Sequence, residues 1–323
     1  RSTYYSENKN FFSIAWPSTG LAKELNNMYE NKKLDIVNLH WLGSNTISIN
    51  EIGKLKMPLF WRLADQWAFC GCEHYTEFNS LNGKPIEDRQ YIEGYKKFDL
   101  NKLMWKNKIK SWKSDINIIA PSNWIAKCAR QSYLFKNSNI KVIPTPLDLE
   151  KWAPVNKKMA RSILNLPIEK SLILFGAYGG LSDNRKGGNL FVQALEKLTC
   201  KSLNESSVDF EVVIFGQGDS QNDTKYPFKI NYLGNLNDDI SLRLSYAACD
   251  LFVISSIQDN LPGTALEAHA CGTPVVAFDI GGLSDIIENT ITGALVEPFD
   301  INALSQKIKW FLEDELRKRK LSE

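Results

Sequence analysis

What this chain lacks narrows its function before any motif is considered. No Gly-x-Gly-x-x-Gly run follows a strand anywhere in it. The tight turn and helix start that cradle a dinucleotide's pyrophosphate are therefore not encoded, and an oxidoreductase using nicotinamide loses its support. There is no convincing Asp-x-Asp pair, and three histidines form no cluster. The 39 basic and 37 acidic residues leave a net charge of only +2, and no overall field demands nucleic acid. No apolar run approaches the length that spans a bilayer, and the opening "RSTYYSENKNFF" has no apolar stretch of a signal peptide. The expectation is a cytoplasmic protein. The six cysteines (Cys70, Cys72, Cys128, Cys200, Cys249 and Cys271) make no regular framework, so reduced, packed thiols are expected. Cys70-Gly71-Cys72 with nearby His74 suggests a metal pair, but no second pair stands at zinc spacing.

What is present reads as α/β. A chain of 323 residues exceeds what one core usually organises, and two domains are expected, 1–146 and 147–323, parted near "IPTPLDLEKWAPVNKKMAR". In the second half, β-branched runs at 171–177, 210–216, 230–234, 250–255, 274–279 and 293–298 read as strands. Helices are expected between them at 187–198, 240–248, 263–271, 283–289 and 301–316, the alternation of a doubly wound parallel sheet that binds ligands beyond its carboxyl strand ends. The first half gives strands at 34–41, 57–65, 116–122 and 140–146 and helices at 18–29, 101–113 and 122–133. The polar stretch from Gly71 to Leu100 is either a lid or a short-helix insertion.

Several stretches carry chemistry. "GAYGGLSDNRKGG" opens at Gly176 and sets Arg185 and Lys186 before a helix start, a combination suited to a diphosphate; the bland reading is a solvated basic pair beside Asp183. Gly216 turns the chain after a strand in "FGQGD". "DNLPGTALE", Asp259 to Glu267, has two readings. Thr264 and Glu267 have capping-box spacing, and the same helix start could instead receive a phosphate with flanking carboxylates on sugar hydroxyls.

Taken in order, "NRKG", "FGQG", "NYLG", "ACDLFVISSIQDNLPGTALEAHACGTPVVAFDIGG" and "TGALVEPFD" resemble the donor-binding half of the retaining glycosyltransferases of family 4, which have the GT-B fold. "LDIVNLHW", "FWRLADQWAFCGCEHY", "IIAPSNWIAKCARQS" and "VIPTPLDLEKWAPV" are similar to a subgroup of that family. The resemblance implies two Rossmann-like doubly wound domains facing a cleft, an acceptor-side domain followed by a nucleotide-sugar domain. It implies that Glu267 holds the ribose hydroxyls, that Asp259 holds the transferred sugar, and that backbone groups around Leu261, Pro262, Gly263 and Thr264 meet the phosphates. Gly176 and Gly216 fall among the donor contacts, and Arg185 and Lys186 neutralise the diphosphate. Charge on the departing phosphate would then be met by fixed cations and helix N–H groups, with no cofactor or metal. The implied substrates are a GDP- or UDP-linked hexose and a saccharide or lipid-linked acceptor, in surface polysaccharide synthesis.

The chain departs from the family at identifiable places. The first Glu of the signature is Asp259, one methylene shorter. Where many relatives have His-Asp, this chain has Ala64-Asp65, leaving Asp65 to orient an acceptor hydroxyl and His40 or His74 as cleft candidates. Trp41, Trp61, Trp67, Phe69 and Tyr75 offer ring faces to sugars or fill the core. An opening strand with clustered Gly and a closing crossover helix are not visible, so a chain cut at both ends is expected. The basic run "EDELRKRKLSE" is either a solvated helix end or a peripheral contact at the inner membrane face. A relative that binds nucleotide sugar without turnover is the alternative to an enzyme.

Overall fold

The structure, a computed structural model, describes residues 13–15, 18–42, 46–81, 84–87, 89–96, 98–113, 115–199, 209–216 and 226–322. The chain divides into a first unit, Arg1–Pro144, and a second, Thr145–Glu323.

In the first unit, four strands, β1 (Val37–Leu39), β2 (Leu59–Arg62), β5 (Asn117–Ala120) and β6 (Ile140–Val142), pair in parallel in the order β1-β2-β5-β6. Parallel neighbours need crossovers, supplied here by α2 (Ile49–Ile52), α4 (Leu100–Ser111) and α5 (Asn123–Gln131), while α1 (Leu21–Glu30) precedes β1. Side-chain caps start three of these helices: Ser48, Asp99 and Ser122 each accept the N–H three residues on. The polar stretch is neither a bare lid nor only a short helix. It forms an antiparallel hairpin of β3 (Phe78–Leu81) and β4 (Lys84–Glu87) before the single turn α3 (Gln90–Glu93). "FNSL" and "KPIE" carry no apolar alternation, so period-two reading passes over them.

The second unit holds six parallel strands: β7 (Ser171–Gly176), β8 (Phe210–Phe215), β9 (Ile230–Tyr232), β10 (Leu251–Ile254), β11 (Val275–Phe278) and β12 (Gly293–Val296). Its helices are α6 (Lys157–Ile163), α7 (Gly188–Thr199), α8 (Asp239–Ala248), α9 (Gly263–Ala270), α10 (Ile301–Leu312) and α11 (Glu315–Ser322). Every residue of β10 and β11 is buried, the continuous apolar pattern of strands covered on both faces. The sheet order β12-β11-β10-β7-β8-β9 reverses direction between β10 and β7. That reversal is a topological switch point, where such sheets bind ligands.

Two expected helices differ. Residues 283–289 form only a 3-10 turn, Leu283–Asp285. The segment 301–316 breaks at Asp314, whose carboxylate accepts the Arg317 N–H and starts α11. The basic run is then a helix end that is not wholly solvated: Leu321 joins the core, and buried Lys318 donates to Ser171 Oγ at 3.0 Å. No helix among the described residues is long and apolar enough to cross a membrane.

Candidate functional site

The switch point gathers residues from two loops far apart in sequence, Lys186 and Asp259 being 73 positions apart. The loop after β7 is shaped by Asp183, whose Oδ1 accepts the N–H groups of Arg185 (2.9 Å) and Lys186 (3.2 Å). Asp183 is thus a turn former for the basic pair and not its counter-ion. The loop after β10 comes alongside: Ile257 N–H donates to Arg185 O at 2.7 Å, and Ser255 Oγ donates to Gly187 O at 2.8 Å. Gly187 is required for this approach, because its φ is +68° and a Cβ would lie 1.9 Å from Ser255 O.

The cations are not solvated surface charges. Lys186 Nζ pairs with Asp259 Oδ2 at 2.6 Å, and the Lys186 side chain is 21% exposed. Arg185 donates to Gln258 O at 3.1 Å and stands 3.7 Å from the same carboxylate oxygen. Asp259 is itself buried and also accepts the Asn260 N–H at 3.1 Å. Opposite Asp259, Gly281 (φ +56°) lets a third loop, after β11, press onto the Asp259 carbonyl.

Helix α9 begins at Gly263 behind a Pro262 N-cap that offers no side-chain acceptor. The N–H groups of Gly263 and Thr264 meet no acceptor among the described residues, as expected of a first turn. The capping box is not formed. Glu267 lies beyond the third helical position, out of register for it, and its Oε2 accepts the Tyr246 hydroxyl of α8 at 2.8 Å. Burial pushes the Glu267 carboxyl above its usual range, Tyr246 works against that rise, and Asp239 adds to it. Gly176 and Gly216 serve close packing at the same strand ends: a Cβ would enter the Phe215 ring at Gly176 and reach Ala177 O at Gly216. Leu261 is half-buried and Pro262 buried.

Asp65 lies in the first unit. Its Oδ2 is 2.5 Å from His74 Nδ1, and His74 Nε2 is 2.7 Å from Ser13 Oγ. This dyad borders a cavity whose walls include Trp41, Trp61, Ala64 and Trp67. His40 is exposed elsewhere, so of the two candidate histidines only His74 joins Asp65. Trp61, Trp67 and Phe69 are at most 3% exposed and serve the core, whereas Trp41 keeps 46% of its surface open. Lys108, unnoticed in the sequence, is fully buried: its ammonium donates to the carbonyls of Trp67, Cys70 (3.0 Å) and Gly71 (2.7 Å), fixing the loop before His74. Burial draws its pKa down to about 8. Cys70 and Cys72 are buried thiols outside any disulfide, Cys200 lies outside the described residues, and no group of three or more His, Cys, Asp or Glu among the described residues is placed to hold a metal ion.

Residues 172–314 match the family model "Glycosyl transferases group 1". Over 197 residues the chain is 28% identical to the UDP-Gal:alpha-D-GlcNAc-diphosphoundecaprenol alpha-1,3-galactosyltransferase of Escherichia coli, covering 58% of this chain and 49% of that protein. The chain thus spans about half the length of the curated relatives it matches. Among solved structures it is similar to sucrose-phosphate synthase from Thermosynechococcus elongatus, with TM-score 0.69 and 20% identity over 94% of this chain and 70% of that one. It is also similar to Anabaena HepE in complex with UDP and glucose, with TM-score 0.65 and 17% identity over 95% of this chain and 76% of that one. The expected α/β architecture is borne out: the chain has the GT-B fold, and the stretch that matches the glycosyl transferases group 1 model lies within its second unit.

Proposed function

We propose that this chain is a retaining glycosyltransferase that moves a hexosyl group from a nucleoside-diphosphate sugar to a saccharide or lipid-linked acceptor, in surface polysaccharide synthesis. The observation that carries the reading is the meeting, at the β7/β10 switch point, of Arg185 and Lys186 with Asp259 just before the start of α9. Two cations and free helix N–H groups suit a diphosphate, and a carboxylate beside them suits the hydroxyls of the attached sugar. The E. coli relative is named for a UDP-linked donor and the Anabaena neighbour binds UDP and glucose, which supports a UDP-linked hexose ahead of a GDP-linked one.

In this reading Arg185, Lys186 and the α9 N–H groups stabilise the negative charge that grows on the diphosphate as its bond to the anomeric carbon breaks. The acceptor oxygen bonds to that carbon from the same face, and its proton passes to the departing phosphate oxygen. Glu267 accepts from the ribose hydroxyls. Asp65, held by His74, orients the acceptor hydroxyl. The reaction draws on no cofactor or metal, and the protein works in the cytoplasm, at the inner membrane face when its acceptor is lipid-linked.

A panel of UDP- and GDP-hexoses, with and without lipid-linked and oligosaccharide acceptors, tests this by release of free nucleotide. Acceptor-dependent release with one donor is expected, and Glu267→Ala should weaken nucleotide binding by at least about tenfold. Binding without transfer to any acceptor would leave a nucleotide-sugar-binding relative in its place.

A further inference from the structure

Tyr246 has a hydroxyl that packing alone does not explain. Its side chain is fully buried, and its ring is held edge-on by Phe252 (centroids 5.7 Å), Phe215 (5.9 Å) and Trp152 (6.1 Å). Thr273 Oγ1 pins the backbone by donating to Tyr246 O at 2.8 Å. Phenylalanine would fill the same space without burying a polar atom, and a buried hydroxyl is costly unless it is bonded. Here the hydroxyl donates to Glu267 Oε2 at 2.8 Å. The bond crosses from α8 to α9, joining a ring locked between three aromatic groups to a carboxylate on the helix that opens at the switch point.

We infer that Tyr246 is a positioning residue that holds the Glu267 carboxylate in one rotamer for ribose recognition, and thereby sets the discrimination between ribonucleoside and deoxyribonucleoside diphosphates. The inference rests on the donor site proposed above. With Oε2 occupied by a fixed donor, Oε1 is the oxygen left to accept a sugar hydroxyl, and its direction is decided by the tyrosine. Fixing the acceptor in advance removes rotamer freedom that binding would otherwise have to freeze, and pre-organisation of this kind raises both affinity and selectivity.

The test is a double-mutant cycle on the full chain, with UDP, GDP and their 2′-deoxy and 3′-deoxy counterparts as probes and dissociation constants read by calorimetry. Wild type should prefer the ribo form, and Tyr246→Phe should reduce that preference about tenfold. Glu267→Ala should abolish it, and Tyr246→Phe added to Glu267→Ala should change neither affinity nor preference further. A Tyr246→Phe protein that keeps the wild-type preference, or that loses affinity equally with and without Glu267, makes the tyrosine merely structural and overturns the inference while leaving the donor site standing. If Tyr246→Phe does not fold, Glu267→Gln supplies the check: the tyrosine takes the one amide oxygen and turns the NH2, which donates and cannot accept, toward the ribose, so the preference should fall about as far as in Glu267→Ala, and a preference kept near wild type overturns the inference. Wild type that binds none of the nucleotides overturns the donor-site reading itself.

Discussion

At the scale of single residues, the two carboxylates of "DNLPGTALE" have different neighbourhoods: Asp259 meets the Arg185–Lys186 pair that the sequence had offered for the same site, and Glu267 meets a tyrosine that it had not. Tyr246 sits in "LRLSYAACD", an apolar run that reads as core, and nothing in its spacing points to Glu267. His74 was visible as a residue, but its pairing with Asp65 depends on a turn held by a buried ammonium that no pattern announces. Asp65→Ala should lower acceptor-dependent turnover at least tenfold while leaving the UDP dissociation constant unchanged; weakened UDP binding would assign Asp65 to the donor instead. His269 of α9 offers a pH test. Burial holds its pKa down to about 4, and its Nε2 has no partner. The unfolded chain binds this proton more readily, so the contribution is full above pH 6.5 and is lost as pH falls toward 4. Unfolding free energies from urea titrations at pH 7 and 4.5 should differ less in His269→Gln than in wild type, by on the order of 2 kcal/mol.

At the scale of elements, all six strands of the second unit were legible because buried parallel strands read as unbroken β-branched runs bounded by turns. Their order was not. Sequence spacing cannot say that β10 lies beside β7, and that adjacency is what brings Asp259 to Lys186. The short 3-10 turn at 283–285 was over-read as a helix because its apolar spacing suits one while only a single turn forms. Gly281 and Gly234 separate the two reasons for a glycine in such loops. Both have positive φ, but a Cβ at Gly281 would lie 1.7 Å from Asp259 O, whereas at Gly234 nothing lies within 4 Å. Gly234→Ala should cost only backbone strain, about 1 kcal/mol, and leave UDP binding intact. Gly281→Ala should shift the Asp259 loop and weaken UDP binding about tenfold or more, as calorimetry can show; equal effects would mean that the loop tolerates the displacement.

At the scale of the molecule, each unit has its own hydrophobic cluster, one spanning Ala15 to Phe135 and the other Trp152 to Leu321. Separate cores predict two unfolding transitions by calorimetry, of which UDP should raise only the second unit's. A single transition moved as a whole by UDP would count against this. The Lys186–Asp259 pair has a bearing on the complete catalytic cycle. An incoming diphosphate competes with a resident carboxylate for the same ammonium. A donor compensates the displaced Asp259 with the hydroxyls of its hexosyl group, but the spent nucleotide has lost that group. Under the function proposed above, the carboxylate would then be a built-in rival to the product, favouring its departure after each transfer and relieving inhibition by accumulated UDP. Asp259→Asn should accordingly bind free UDP more tightly and turn over more slowly, ending with a protein that holds its product.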